Sequence, residues 1–345
     1  MKALLLNHDG YATQKPESIA LEDAAEFVTL GDLDDPIPKS GEVKIRVILA
    51  SVNPSDEMFI QGLYGQPRVG GNAAGFEGVG EVVASGGGMM GSWLKGKRVA
   101  FFAKPGRPGS WAEFAIADAS TCIPLKKGIS DIDGAALIVN PLTALAMFDL
   151  VKQEGAKSFI VSAGASQLCK LMIGAAKREG YAPIAIVRRD SQIAPLLALG
   201  AAHVLNSESD GFIKHLAALT RAEKPRIFLD AVSNQISAAI FNVMPNRGRW
   251  IIYGKLDEEL PTILQPGQMI FQSKRIEGFW LTQWMRRAGL MKKLSVIRSA
   301  QSRFASGEWK TDVTAIISLE DAIERMPAEL AKPNGKVFIK PNGNT

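Results

Sequence analysis

Three short stretches of this chain carry residue types able to do chemistry on a bound small molecule. The first is Val161-Ser-Ala-Gly-Ala-Ser-Gln-Leu-Cys169, a turn of small residues between an apolar run and a helix-patterned run. Backbone N–H groups at such a helix start point outward with the positive end of the helix dipole, a setting that binds phosphate. Ser162, Gly164, Ala165, Ser166, Gln167 and Leu168 are the candidate contacts. The run departs from the Gly-x-Gly-x-x-Gly ideal: only Gly164 survives as glycine, and the run ends Gln167-Leu168-Cys169. The second stretch, Val187-Arg188-Arg189, ends the next apolar run. A chain selecting NADH offers Asp or Glu there to the ribose hydroxyls. Two guanidinium groups instead suit a 2′-phosphate, which predicts NADPH. The third is Asn53-Pro-Ser-Asp-Glu-Met-Phe-Ile-Gln-Gly-Leu-Tyr64, followed by Gly75-Phe-Glu-Gly-Val-Gly80.

Metal chemistry has little to draw on. The chain holds three His (His8, His203, His215) and two Cys (Cys122, Cys169), none clustered. Catalytic zinc needs three protein ligands, and a structural zinc lobe about four Cys at short spacing. No metal site is expected, and two distant cysteines make no disulfide framework.

The elements that must position these residues follow from texture. Up to about Leu125 the chain has short β-branched or alternating runs, such as Glu42–Leu49 and Gly78–Val83, broken by Gly and Pro, which predicts a β-rich domain. From Ser158 apolar strands alternate with helical segments, the pattern of a parallel sheet covered on both faces. The strands are expected over residues 158–164, 183–188, 203–206, 226–232, 249–254 and 275–281, with helices over 167–179, 191–199, 211–221 and 235–244. Six strands joined by crossovers make a doubly wound dinucleotide fold, whose ligands lie at the carboxyl ends of the strands. Val232 and Ser233, then Tyr253, Gly254 and Lys255, then Phe279, Trp280 and Leu281 end the later strands and are candidate cofactor contacts. A long helical stretch, 284–304, precedes β-like segments at 311–319 and 336–341.

Composition bounds the class. A length of 345 residues suggests about two domains. A hydrophobic share of 46% and a charged share of 22% are ordinary for a globular protein. No apolar run approaches the roughly 20 residues that span a bilayer, and a charge near the N-terminus interrupts any signal-peptide core, so a cytoplasmic location is expected. The net charge of +5 is spread along the chain, which favours small anions over nucleic acid.

The Asn53–Tyr64 and Gly75–Gly80 stretches resemble the start of the catalytic domain in the medium-chain dehydrogenase/reductase superfamily. Where its zinc alcohol dehydrogenases place a metal-binding His, this chain has Phe76. Asn53-Pro-Ser-Asp, Gln61-Gly-Leu-Tyr64, Asn140-Pro-Leu-Thr143 and Gly278-Phe-Trp-Leu-Thr-Gln-Trp284 together resemble the mitochondrial-type, zinc-free trans-2-enoyl thioester reductases. The resemblance implies an α/β chain with a GroES-like β-rich catalytic domain (residues 1–125 and 305–345) and a doubly wound Rossmann NADPH-binding domain (residues 126–304). It makes Tyr64 the candidate proton or hydrogen-bond donor, Asn53 a polar group near nicotinamide and substrate, Thr143 a cofactor neighbour and Lys336 a contact for cofactor phosphate. Hydride would pass from NADPH to the β-carbon of an α,β-unsaturated carbonyl. NADPH:quinone oxidoreductases share the architecture and stand as the alternative. A cofactor-binding interaction protein without efficient catalysis is a third reading, suggested by the altered phosphate turn. The basic run Trp284-Met-Arg-Arg287 with Lys292-Lys293 is a candidate contact for an anionic thioester carrier, or simply a wet helix face. The family analogy implies a homodimer paired through the sheet edge of the cofactor domain.

Overall fold

Strand β3 (Glu42–Val52) is the longest element of the first sheet, and its alternation of buried and half-buried residues explains why. One face meets a core of Val43, Ile45 and Val47, all fully buried. The computed structural model describes residues 1–13, 19–263, 265–332 and 335–343. It divides into one unit of Met1–Val139 with Ser299–Thr345 and another of Asn140–Arg298.

In the first unit β1 (Lys2–Leu6) pairs with β2 (Val28–Asp32) in a small antiparallel sheet. Around β3 lie β4 (Glu77–Ser85), β5 (Arg98–Phe102), β6 (Phe114–Asp118) and β7 (Ile123–Pro124). The second unit holds β8 (Ser158–Val161), β9 (Ala182–Val187), β10 (His203–Asn206), β11 (Ile227–Asp230), β12 (Arg249–Ile252) and β13 (Arg275–Gly278). The chain then returns to the first unit with β14 (Val313–Ser318) and β15 (Lys336–Lys340).

Register in the first sheet does the positioning. Its order is β14-β15-β3-β4-β5-β7, with β6 on β3. β15 runs antiparallel to β3 with Val337 opposite Val52, so Lys336 arrives beside Asn53. β4 runs antiparallel to β3 with Gly78 opposite Ala50, so Glu77 arrives beside Ser51.

The second unit is a six-stranded parallel sheet in the order β10-β9-β8-β11-β12-β13, the doubly wound arrangement expected. Helices Gln167–Arg178, Ile193–Leu199, Phe212–Glu223 and Gln235–Val243 connect the strands. One apolar cluster under it joins Ile160, Ile184, Phe228, Phe241 and Trp250. The strands stop two to three residues earlier than expected at β8, β12 and β13, which frees the turns at their carboxyl ends.

Two expectations need correcting. The helical stretch 284–304 is two helices, Leu281–Arg287 and Leu290–Ala305, parted at Ala288-Gly289, where glycine favours a break. The cuts between units fall after Val139 and after Arg298, not after 125 and 304. Residues 126–139 stay with the first unit because Ala135 and Ala136 pack with Leu49, Val79 and Phe338. Residues 299–304 stay because the Gln301 carboxamide accepts the Lys126 N–H at 2.9 Å. Among the described residues no helix is long and apolar enough to cross a membrane.

Candidate functional site

In the second unit the candidate cofactor residues gather at the carboxyl ends of the parallel strands. Gly164 follows β8, and its N–H donates to Ile186 O on β9 at 2.9 Å. A Cβ at Gly164 would stand 2.9 Å from Ala185 Cβ and 3.2 Å from Ile186 O, so the turn lies against β9 as only glycine allows. Ser166 caps the helix Gln167–Arg178, its hydroxyl accepting the Cys169 N–H at 3.3 Å. That helix start, with Ala165 and Gln167 half-buried and Leu168 buried, keeps the anion-binding geometry. Cys169 replaces the packing glycine with its thiol turned inward, at 3.3 Å from Ser162 O and 3.5 Å from the Tyr253 hydroxyl. Burial raises both the Cys169 thiol and the Tyr253 phenol above their usual values.

Arg188 and Arg189 are exposed just past β9. Across from them Asp257 is pushed up by burial, but the Glu259 N–H, the Asn234 carboxamide and the charges of Lys255 and Arg188 hold it below the usual carboxylate range. Lys255 donates to its own loop, to Asp257 O and Glu259 O. Ser233 takes left-handed backbone, φ 59°, and its hydroxyl donates to Gly254 O, which locks the ends of β11 and β12 together beside Val232. Phe279 donates its N–H to Ile252 O, and Trp280 and Leu281 open the next helix, all half-buried. Thr143 is buried in the helix Val139–Gln153. Of the basic run, Lys292 is paired with Asp149, Arg286 and Arg287 are exposed, and Lys293 is half-buried.

Ser162 is placed differently from expectation. Its hydroxyl donates to Asp230 Oδ1 at 2.6 Å and accepts the Ala231 N–H at 2.9 Å, so it joins β8 to β11 and has no capacity left for phosphate. Asp230 is the residue that sequence reasoning missed. Fully buried, it also accepts the N–H groups of Val232 and Ser233 and the Trp250 indole. The available signal was a single acid closing the apolar run Ile227-Phe-Leu-Asp230.

In the first unit Asn53 caps the helix Pro54–Ile60 and is 1% exposed. Its carboxamide nitrogen donates to Ser51 Oγ, Asp56 Oδ2 and Glu77 Oε1, at 3.1, 3.0 and 3.0 Å. Its oxygen accepts from the Lys336 ammonium. Lys336 is buried, so the expected contact with cofactor phosphate gives way to a side chain turned into this network. Burial lowers the Lys336 ammonium, against the pull of Glu77, Asp56 and Glu57. Burial pushes Asp56 up to about 7 although the Asn53 N–H and carboxamide draw it down, and burial with Asp56 beside it pushes Glu57 up to about 7. Asp56 also accepts the Phe76 N–H at 2.9 Å, fixing the residue that stands where zinc enzymes have a ligand.

Phe76 packs among Phe59, Tyr64 and Phe102 with ring centroids 4.9, 5.2 and 5.6 Å away. Aromatic pairs of this kind contribute about 0.5–1.5 kcal/mol each beyond area burial. The turn before Tyr64 is fixed by Arg68, whose guanidinium donates to Ile60 O and Gly10 O. Tyr64 is thus a phenol on a rigid aromatic base. Among the described residues no group of three His, Cys, Asp or Glu side chains is arranged to hold a metal.

Residues 39–127 match the alcohol dehydrogenase GroES-like domain family, and residues 168–296 the zinc-binding dehydrogenase family. The chain is 30% identical over 295 residues to the mitochondrial enoyl-[acyl-carrier-protein] reductase of Bos taurus, covering 83% of this chain and 74% of that one. The chain belongs to the medium-chain dehydrogenase/reductase superfamily. Within the superfamily it is 56% identical to a putative NADPH:quinone reductase from Mesorhizobium loti, with a TM-score of 0.95 over 99% of this chain and 98% of that one. A mutant form of the enoyl thioester reductase from Candida tropicalis shares the fold at 21% identity, TM-score 0.77, over 99% of each chain. Phe76 lies within the GroES-like match.

Proposed function

We propose that this protein is a zinc-independent, NADPH-dependent reductase of α,β-unsaturated thioesters or related activated alkenes. The observation that carries the reading is Tyr64, a phenol whose ring is seated 5.2 Å from that of Phe76. A phenol there donates a hydrogen bond or a proton as charge builds on the carbonyl side of the alkene. When bound, the reduced nicotinamide supplies hydride. The residues present fit that cofactor: Gly164 keeps the turn close to β9, the helix start at Gln167 faces phosphate, and Arg188 and Arg189 offer planar donors to a 2′-phosphate. The likeness to the Mesorhizobium loti protein favours quinone reduction as the second reading.

The test is NADPH oxidation against a crotonyl-type thioester, a quinone and a simple enone. Thioester turnover supports the first reading and quinone-only turnover the second. Cofactor binding without turnover makes the chain an NADPH-binding interaction protein. Stoichiometric metal whose chelation abolishes activity would overturn zinc independence.

A homodimer and a cytoplasmic location belong to the same proposal. The outer strand β13 exposes Ile276, and Ile270 and Phe271 on the helix before it are 69% and 84% exposed. An unpaired edge with such apolar neighbours suits a second copy. Light scattering on Phe271→Glu, expected to be a monomer, tests it.

A further inference from the structure

The helix Val139–Gln153 begins with N–H groups that have no partner within the helix. Glu77 reaches this start from β4. One carboxylate oxygen, Oε2, accepts the N–H groups of Ile138 and Val139 at 3.1 and 2.8 Å. The other, Oε1, accepts from Ser51 Oγ at 2.7 Å and from the Asn53 carboxamide at 3.0 Å. Glu77 is 1% exposed, so it is buried and answered by these donors and the ammonium beyond them.

The direction of each bond is determined. Lys336 has donors alone, so it binds the oxygen of Asn53 and turns the amide nitrogen toward Glu77. A carboxylate has acceptors alone, so the far oxygen of Glu77 is left for the helix start. A negative group at that position also meets the positive end of the helix dipole. Residues 336, 53, 77 and 139 thus form one line of polar contacts, and the helix at its end carries Asn140-Pro-Leu-Thr143.

We propose that Glu77 is a positioning residue for the cofactor: it holds the first turn of the helix Val139–Gln153 and thereby the placement of Thr143. The inference rests on the reading of Thr143 as an NADPH neighbour.

The test is Glu77→Gln, which keeps the shape and removes the charge, with Val79→Ala for comparison. Val79 is fully buried in the same strand and packs with Ala135 and Ala136, but its apolar side chain accepts no N–H group at the helix start. Two quantities are measured: amide hydrogen exchange over residues 137–145 without cofactor, and KM for NADPH beside kcat. Glu77→Gln is expected to speed exchange at Ile138 and Val139 about tenfold and to raise KM about tenfold with a smaller change in kcat, the scale of one charge-assisted contact. Glu77→Asp, which retains the charge but withdraws it by one methylene, should change both less. Val79→Ala should lower Tm and leave KM near wild type. Wild-type exchange in Glu77→Gln, or an equal rise in KM in Val79→Ala, overturns the proposal. If the wild-type protein oxidises NADPH with no substrate, the functional reading fails on its own, and the exchange measurement still decides whether Glu77 holds the helix.

Discussion

Trp250 donates its indole N–H to Asp230 Oδ2 at 2.8 Å, while Ser162 donates its hydroxyl to Oδ1 of the same carboxylate at 2.6 Å. One side chain therefore ties β8, β11 and β12 together just where the sheet opens toward its ligand. Asp230→Ala strands several buried donors, and each unsatisfied one costs about 1–3 kcal/mol. The expected loss is at least about 3 kcal/mol, read as a lower urea midpoint at constant m. Asp230→Asn, which retains one acceptor oxygen, should lose less.

Gly164→Ala places a methyl group 2.9 Å from Ala185 Cβ. Overpacking of this kind costs about 1–3 kcal/mol. The turn must move away from β9 to relieve it, so NADPH affinity should fall together with Tm. A fluorescence titration beside a thermal melt checks both.

Arg188→Ala/Arg189→Ala should remove the preference for NADPH over NADH. Both side chains are exposed, so stability should hold. A hydrogen bond to a charged group contributes about 1.5–3 kcal/mol, about tenfold or more in affinity. Titrating both cofactors into wild type and variant gives the comparison, and equal wild-type affinities would sink the assignment.

Tyr64→Phe keeps the ring on Phe76 and removes only the hydroxyl. The rate should fall roughly 10²-fold or more, the low end of positioned acid–base catalysis, with Tm and NADPH affinity nearly constant. Unchanged turnover would make the residue scaffold and shift the weight to quinone reduction.

Stability should also depend on pH through Asp56 and Glu57. Burial raises both carboxyls, from ordinary values of 3.8 and 4.5 to about 7. The folded chain then holds protons that the unfolded chain has released, so their stabilisation is complete below about pH 4 and is lost as pH rises through about 7. Glu57→Gln removes one of these groups. The stability difference between wild type and Glu57→Gln, followed by urea unfolding from pH 4 to 8, should therefore decline as pH rises; a flat difference would contradict the assignment.

The parts of the molecule legible in sequence are those whose signals are local. Six apolar runs separated by helical periods led to the six-stranded doubly wound fold of the second unit, and Arg188-Arg189 stood at the strand end where cofactor choice is made. The meeting of Lys336 and Asn53 was not legible that way, because it depends on the β15–β3 register across 283 residues, which no spacing encodes. Ser162 was read as a phosphate ligand because its neighbours suit that role. Its actual partner, Asp230, lies 68 residues on. The break at Ala288-Gly289 parts a stretch read as one helix, because glycine there favours a break over continued helix.

The two thiols of this chain are sunk. Cys169 lies against Tyr253, and Cys122 is buried with its thiol pushed up to about 12 by burial and the Asp118 charge. Thiolates are the nucleophiles that electrophilic alkenes and quinones alkylate. A catalyst that meets such compounds at every turnover would be consumed by an accessible low-pKa cysteine. By placing sulfur where a glycine ordinarily packs, and covering it, this chain would be protected from the very compounds that the proposed reaction brings to it.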